Sequence, residues 1–452
     1  MKLIAPTLQI EENDSFKKDI LGRSEYGEAL ASIVKKSDDA LVICLDGKWG
    51  EGKTTFVKMW RGLLLESNIR SIYVDAFASD FVEEPFFAVA SAISEFVENS
   101  DISIETKSSL KISTLKVGTQ LLAWSLKIGA KAATLGAINE TDIESLETIG
   151  SDISDGVSSA LSKYVERKLE NYTKSLDVIE SYRNILSKIP SSLGQEYFSR
   201  LVVIIDELDR CKPNFAVSII EQVKHLFSVP NVVFVLVMNK SQMLESIRSV
   251  YGQGIDANTY LQKFINVETG IPKRTEHRGN NDINKYIKHL WNVHSFEAWG
   301  DQQNVVDCLD VLANYYNLSL RQIERVFTNI ALLYSISSKN RLRLVPVIVF
   351  LSVVKVIDSD TFKEIADGQI NYQKTVEKLQ LNSKSFSENQ QRNVDWMMQW
   401  IRFSMLTDKE FSELQPDDAL KDFGRSLFSY SISRNQIIPF FAGQLRSFSV
   451  LL

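Results

Sequence analysis

Two clusters in this sequence carry residue types that together could hold and cleave a triphosphate. The first is Gly47-Lys-Trp-Gly-Glu-Gly-Lys-Thr54, followed by Thr55, which fits the spacing G-x-x-x-x-G-K-[ST]. Glycines let a backbone bend until successive N–H groups converge on an anion, and the positive end of a following helix adds to them. Gly47, Lys48, Trp49, Gly50, Glu51, Gly52, Lys53, Thr54 and Thr55 are therefore candidate nucleotide contacts. Lys53 would reach the β- and γ-phosphates, and the Thr54 hydroxyl would ligate Mg²⁺. The alternative is a glycine turn with a chance lysine. The second cluster is Asp206-Glu207, which ends the apolar run Leu201-Val-Val-Ile-Ile-Asp206. A phosphoryl transition state spreads negative charge over its oxygens, so a metal belongs between those oxygens and a carboxylate, here Asp206. A general base must lie within hydrogen-bond reach of the attacking water, and Glu207 at a strand tip could do so. The alternative is an acid cluster that caps a helix. The two motifs in this order form a stronger signal than either alone.

Other polar residues fit around this pair. Asn239 ends the run Asn231-Val-Val-Phe-Val-Leu-Val-Met-Asn239 and could hydrogen-bond the γ-phosphate or the water; a turn residue is the competing reading. Asn239-Lys-Ser-Gln242 departs from the guanine-reading N-K-x-D pattern at Gln242, where the purine N–H groups need a carboxylate. ATP is therefore favoured over GTP. Arg321 and Arg325 lie four apart on one helix face, and Arg321 is the candidate sensor of the γ-phosphate, unless it pairs with Glu324 on a solvated face. Arg210 could act on a neighbour's nucleotide or as an internal clamp, and Arg200 is a weaker candidate of that kind.

These side chains need elements to place them. Ala40–Leu45 reads as a buried strand and Thr55–Leu65 as a helix, so the glycine loop lies between strand and helix. Arg70–Phe77 is another strand candidate, and Glu83–Asn99 a helix starting near Pro85. Near-continuous β-branched runs at 201–206 and 231–239 suit a parallel sheet covered on both faces, and strands alternating with helices predict an α/β core. Helix Phe215–Val229 separates those two runs. Asp19–Val34 reads as a turn and then a helix. Ser108–Ile138 is apolar but broken by Lys111, Lys116, Lys127 and Lys131. It could form a helical hairpin, an amphipathic surface helix or a subunit contact. Glu140–Asp155 is acidic without a base and reads as a solvated linker, before a long helix from Gly156 that ends at Pro190. From about Asn281 onward the pattern is almost all helical. The apolar stretch Ile437–Leu452 packs on its own domain or docks a partner.

Composition narrows the class. The 452 residues are 44% hydrophobic and 24% charged with net charge -6, ordinary for a globular protein and without a global basic signature for nucleic acid. Cys44, Cys211 and Cys308 form no pair pattern, which fits a reducing cytoplasm. His225, His277, His289 and His294 lack metal-ligand spacing, so Mg²⁺ is the one metal expected. No secretory signal opens the chain, and no run reaches about 18 apolar residues, so no spanning helix is expected.

Taken together the residues resemble the KAP P-loop NTPases, of the additional-strand, catalytic-glutamate division. The likeness rests on Leu21-Gly22-Arg23, the loop at Gly47–Thr54 with its Trp49-Gly50 pair, and Tyr73-Val-Asp-Ala-Phe77. It rests above all on Ile205-Asp-Glu-Leu-Asp-Arg-Cys-Lys-Pro213, with Phe234–Asn239 and Tyr260–Ile265. It covers roughly 19–330. The resemblance implies that Gly22 and Arg23 pack near the adenine. It also implies oligomers and, in several members, exclusion of phage or plasmids. Many members carry spanning helices between the two motifs, where this chain is too polar, and an aspartate where Asn239 stands.

The expected architecture is a P-loop NTPase core, a parallel sheet covered by helices, with a helical insert and a helical C-terminal region. The core occupies 1–107 and 199–280, the insert and acidic linker 108–198, a helical lid 281–335 and a C-terminal helical domain 336–452. The expected function is a cytoplasmic ATPase acting as a nucleotide-driven switch or assembly motor in bacterial anti-phage defence. A homo-oligomer and a companion effector protein are expected partners. The alternatives are a nucleotide-stabilised scaffold with negligible turnover and an ATPase stimulated by nucleic acid.

Overall fold

The computed structural model describes residues 1–11, 14–37, 39–82, 84–134, 156–193, 200–273, 281–297, 299–336, 342–382, 388–415, 418–427 and 432–447. Five parallel strands form one sheet: β1 (Leu41–Asp46), β2 (Arg70–Asp75), β3 (Leu201–Asp206), β4 (Val232–Met238) and β5 (Val267–Gly270). Their order is β2-β3-β4-β1-β5. β4 thus stands between the strand feeding the glycine loop and the strand ending in Asp206, pairing Asp46 with Met238 on one side and Ile205 with Leu236 on the other. β3 and β4 are buried along their whole length, as their continuous apolar runs require.

β5 departs from the sequence reading, which has no strand there. It is four residues long and alternates half-buried with exposed positions at the sheet edge, so no apolar run marks it.

Helices cover both faces. On one face α1 (Ser24–Lys36) and α2 (Lys53–Glu66) bury Leu30, Val34, Phe56, Trp60 and Leu64 against the sheet. On the other lie α3 (Phe86–Glu98), α4 (Ile104–Thr134), α5 (Gly156–Ser192), α6 (Pro213–Gln222), α7 (Lys240–Tyr251) and α8 (Ala257–Gln262), with Phe86, Tyr182, Phe227 and Phe234 in the shared core.

Two helix ends differ from expectation. α6 begins at Pro213, a residue suited to a first turn, and gives way at Val223–Phe227 to a π-helical turn. α5 runs two residues past Pro190; in a last turn the missing N–H removes a single bond, so the helix survives it. The insert is a helical pair, α4 packing on α3 and α5. Ile104, Ile112, Leu115 and Leu122 of α4 remain exposed. The acidic stretch Glu140–Asp155 lies outside the described residues.

Beyond 281 the chain is helical: α9 (Asp282–His294), α10 (Gln302–Tyr315), α11 (Leu320–Ile336), α12 (Val345–Ile357), α13 (Ser359–Ala366), α14 (Tyr372–Lys378), α15 (Glu388–Met405), α16 (Asp408–Ser412), α17 (Leu420–Leu427) and α18 (Ile437–Ser447). One hydrophobic core runs through it from Ile287 to Leu445. α18 buries Ile437, Ile438, Phe441, Ala442 and Leu445 in that core, so the described part of the apolar tail packs on its own domain. Among the described residues no helix is long and apolar enough to cross a membrane.

Candidate nucleotide site

The glycine loop connects β1 to α2, and its curvature is set by Gly50 and Gly52. Both adopt positive φ, +80° and +83°, where a Cβ is disfavoured. The Gly47 N–H donates to Met238 O at 3.2 Å, and Asp46 Oδ1 accepts from Lys240 N at 2.8 Å, so the loop hangs from the tips of both central strands. Lys53 opens α2 and folds its ammonium back onto the loop carbonyls of Gly47, at 2.5 Å, and Lys48, at 3.3 Å. Glu51 turns inward too: its Oε2 accepts from Lys48 N at 3.0 Å and its Oε1 pairs with Lys273 at 2.7 Å. Arg23 is buried and its Nη1 donates to Glu51 O at 3.0 Å; burial pushes the guanidinium's pKa down. Glu51 and Arg23 thus brace the loop from behind.

The two acids stand at the tip of β3. Asp206 is 1% exposed. Its Oδ2 accepts from the Tyr73 hydroxyl at 3.0 Å and its Oδ1 from Glu207 N at 2.8 Å, and the Thr54 hydroxyl is among the groups that lower its pKa. Burial raises its pKa against those hydrogen bonds and the charge of Lys53, which lower it. Glu207 is left-handed at φ 61°, a strained backbone for a residue with a side chain, and this kink redirects the chain out of the strand. Its Oε2 pairs with Arg210 Nη1 at 2.9 Å. Burial raises the Glu207 pKa, and Arg210 opposes the rise.

The helical region closes the site. Arg321, in the first turn of α11, donates its backbone N–H to Gly50 O at 3.3 Å. Glu324 accepts from the Tyr286 hydroxyl of α9, and among the described residues no ion pair joins it to Arg321. A cavity of about 780 Å³ lies between loop, strand tips and lid. Gly50, Gly52, Lys53, Thr54 and Thr55 line it, as do Asp206, Glu207 and Arg210, and Arg23, Trp49 and Arg321. Trp49 also donates its indole N–H to Asp209. Gly22, at φ 66°, Gly47, Lys48, Glu51 and Asn239 do not line the cavity; Asn239 stands at the tip of β4 as the N-cap of α7. Arg200 binds Asn231 Oδ1 at 2.7 Å, at the start of β3 and far along the strand from its acidic tip.

Sequence reasoning missed several walls. Residues Ala5–Gln9 and Lys18 line the cavity, and so do Tyr286, His289, Leu290 and Val293 of α9, while Asp19, Ile20, Leu21 and Arg23 line it in the turn where the resemblance implied contact with the adenine. The periodicity of α9 could have marked a helix face, but nothing in the residues near the start of the chain signals a wall. Tyr73 was legible as a strand residue, not as a partner of Asp206.

The donor set suits Mg²⁺: the Thr54 hydroxyl and the Asp206 carboxylate, both hard oxygen ligands, line one cavity beside the glycine loop. A family model described as the KAP family P-loop domain matches residues 23–337. No curated protein matches the chain in sequence. Among solved structures, the Aeropyrum pernix ORC2 protein in its ADP form is similar over 98% of this chain and 96% of that one, at 12% identity and a TM-score of 0.36. The same protein in ADPNP–ADP complexes gives 12% identity and 0.37 over 97% and 98%.

Proposed function

The chain belongs to the KAP family of P-loop NTPases, and from that premise we propose that it binds ATP with Mg²⁺ in this cavity and hydrolyses it. The observation that carries the reading is the convergence of the phosphate loop, through Gly50, Gly52, Lys53 and Thr54, and the acidic strand tip, through Asp206 and Glu207, on one cavity. The loop N–H groups and Lys53 hold the β- and γ-phosphates. Thr54 and Asp206 hold Mg²⁺, which offsets charge on the phosphate oxygens. Glu207 orients and deprotonates the attacking water. Arg321 moves with the lid and answers the γ-phosphate.

The Glu207–Arg210 pair favours a chain that retains ATP until a trigger frees the carboxylate, which suits a switch better than a constant turnover enzyme. In this reading the protein works as a homo-oligomeric switch with a companion effector, in the cytoplasm of a bacterium that it defends against phage. The defence role rests on the family resemblance alone.

Phosphate release by the purified chain, compared with Glu207→Gln, tests the enzymatic reading. ATP-dependent release that Glu207→Gln abolishes supports it. Equal, background release from both proteins sinks turnover and leaves a nucleotide-stabilised scaffold.

A further inference from the structure

The segment ahead of α1 crosses the nucleotide cavity and is pinned on both sides of it. Near one end, Lys2 N donates to His294 O at 2.8 Å, and Lys2 O accepts from His294 Nδ1 at 2.6 Å, a reciprocal pair on the last turn of α9. Ala5 packs on the core of the helical region. Near the other end, Gln9 O accepts from Lys18 Nζ at 2.8 Å. The chain that follows presses on α2, where the Ser15 backbone comes so close that a Cβ on Gly62 would lie 2.7 Å from its nitrogen. The segment therefore bridges the lid and the helix of the phosphate loop.

What it presents to the cavity is chemically distinct from the rest. Ala5, Pro6, Thr7, Leu8 and Gln9 carry no charge, whereas Lys53, Arg210 and Arg321 line the cavity from the phosphate loop, the acidic strand tip and α11. The neighbouring lining is mixed: Ile20, Leu21, Met59, Leu290 and Val293 supply apolar surface, with Lys18, Asp19 and His289 among them. A flat, largely uncharged base belongs on such walls and a triphosphate does not. The segment is a single chain thick, and Leu8 is 37% exposed on its outer side.

Resting on the reading of the cavity as an ATP site, we propose that residues 2–9 are a binding wall of that site. They cover the nucleoside end of the nucleotide, and their latch on His294 slows its exchange. The latch ties the segment to α9 through one backbone bond and one side-chain bond, so release of nucleotide requires the segment to leave α9.

The test measures dissociation of radiolabelled ATP, chased with unlabelled ATP in the presence of Mg²⁺, together with competition by inorganic tripolyphosphate. Three full-length proteins are compared: the natural sequence, one with residues 2–9 replaced by an equal run of Gly and Ser, and His294→Phe. The last keeps a ring against Phe296 and Phe327 and removes the Nδ1 bond. The expected result is release faster by about tenfold or more in the Gly–Ser protein and by a smaller factor in His294→Phe, with tripolyphosphate competing equally in all three. Equal ATP release from all three proteins overturns the wall. So does a parallel loss of tripolyphosphate binding, which would mean that the whole cavity had collapsed. A natural chain that holds tripolyphosphate but shows no preference for ATP overturns the wall alone, whereas one that holds neither overturns the ATP site itself.

Discussion

Gly50 and Arg321 are in backbone contact across the boundary between the phosphate loop and the lid. The Gly50 carbonyl accepts from the Arg321 N–H at 3.3 Å, and a Cβ built on Gly50 would lie 2.7 Å from the Arg321 Cβ. Gly50 is also at φ +80°, so two independent constraints demand glycine there. Gly50→Ala should therefore cost about 1–2 kcal/mol in left-handed strain alone and push α11 off the loop besides. The expected outcome is a lower melting temperature and weaker ATP binding, read by calorimetry with and without nucleotide. An unchanged melting curve and affinity would mean that the lid does not rest on the loop.

Glu207 lies next to Asp206 and is paired with Arg210. If it is the general base, Glu207→Gln should lower kcat by about 10²–10⁴-fold and leave ATP affinity within a few-fold of the original. Affinity measured by direct titration separates the two effects. A proportional loss of binding would mark Glu207 as a structural residue.

Tyr73 reaches Asp206 across one strand pairing, its hydroxyl 3.0 Å from Oδ2. A hydrogen bond to a charged, buried acceptor contributes about 1.5–3 kcal/mol, and here it fixes the orientation of the carboxylate. Tyr73→Phe keeps the ring beneath Lys58 and Arg61 and removes that bond. The Mg²⁺ concentration for half-maximal hydrolysis should shift by about tenfold, with kcat at saturating Mg²⁺ changed far less. A kcat effect that added Mg²⁺ cannot relieve would contradict this placement.

What could be read from the sequence was local, and what could not was long-range. The loop at Gly47–Thr55 declares itself because glycine spacing is set by backbone geometry within ten residues. β3 and β4 declare themselves because strands buried on both faces need unbroken apolar runs. β5 is short and sits at an edge, so its alternation carries little signal. Glu51 fits the loop by position, but its carboxylate is turned back by Lys273, some two hundred residues away in the chain. The segment at 2–9 binds α9 mainly through its own main chain, which any sequence supplies equally well. The contact between Tyr73 and Asp206 depends on the register of β2 on β3, which no single strand reveals.

His294 links the leading segment to acid stability. The Lys2 carbonyl can only accept, so His294 Nδ1 carries a hydrogen, and Nε2 is bare in the neutral ring. Nε2 is buried without a hydrogen-bond partner among the described residues, and the ring stacks against Phe296 and Phe327. Protonation would place a charge there unsolvated; burial pushes the His294 pKa below the ordinary value of 6.5, against the raising effects of Lys2 O and Glu324. The unfolded chain then binds a proton that the folded chain refuses. Stability should be full above about pH 6.5 and fall as the pH drops from there through the folded-state value. Melting temperatures taken from pH 7.5 down to 5 should decline in the natural chain and decline less in His294→Phe, which has no proton to bind. His289, whose pKa burial also lowers, supplies a residual slope of the same sign in both proteins. Parallel melting profiles for the two proteins would show that His294 is protonated without opening the latch, and that the bonds to Lys2 do not depend on its charge.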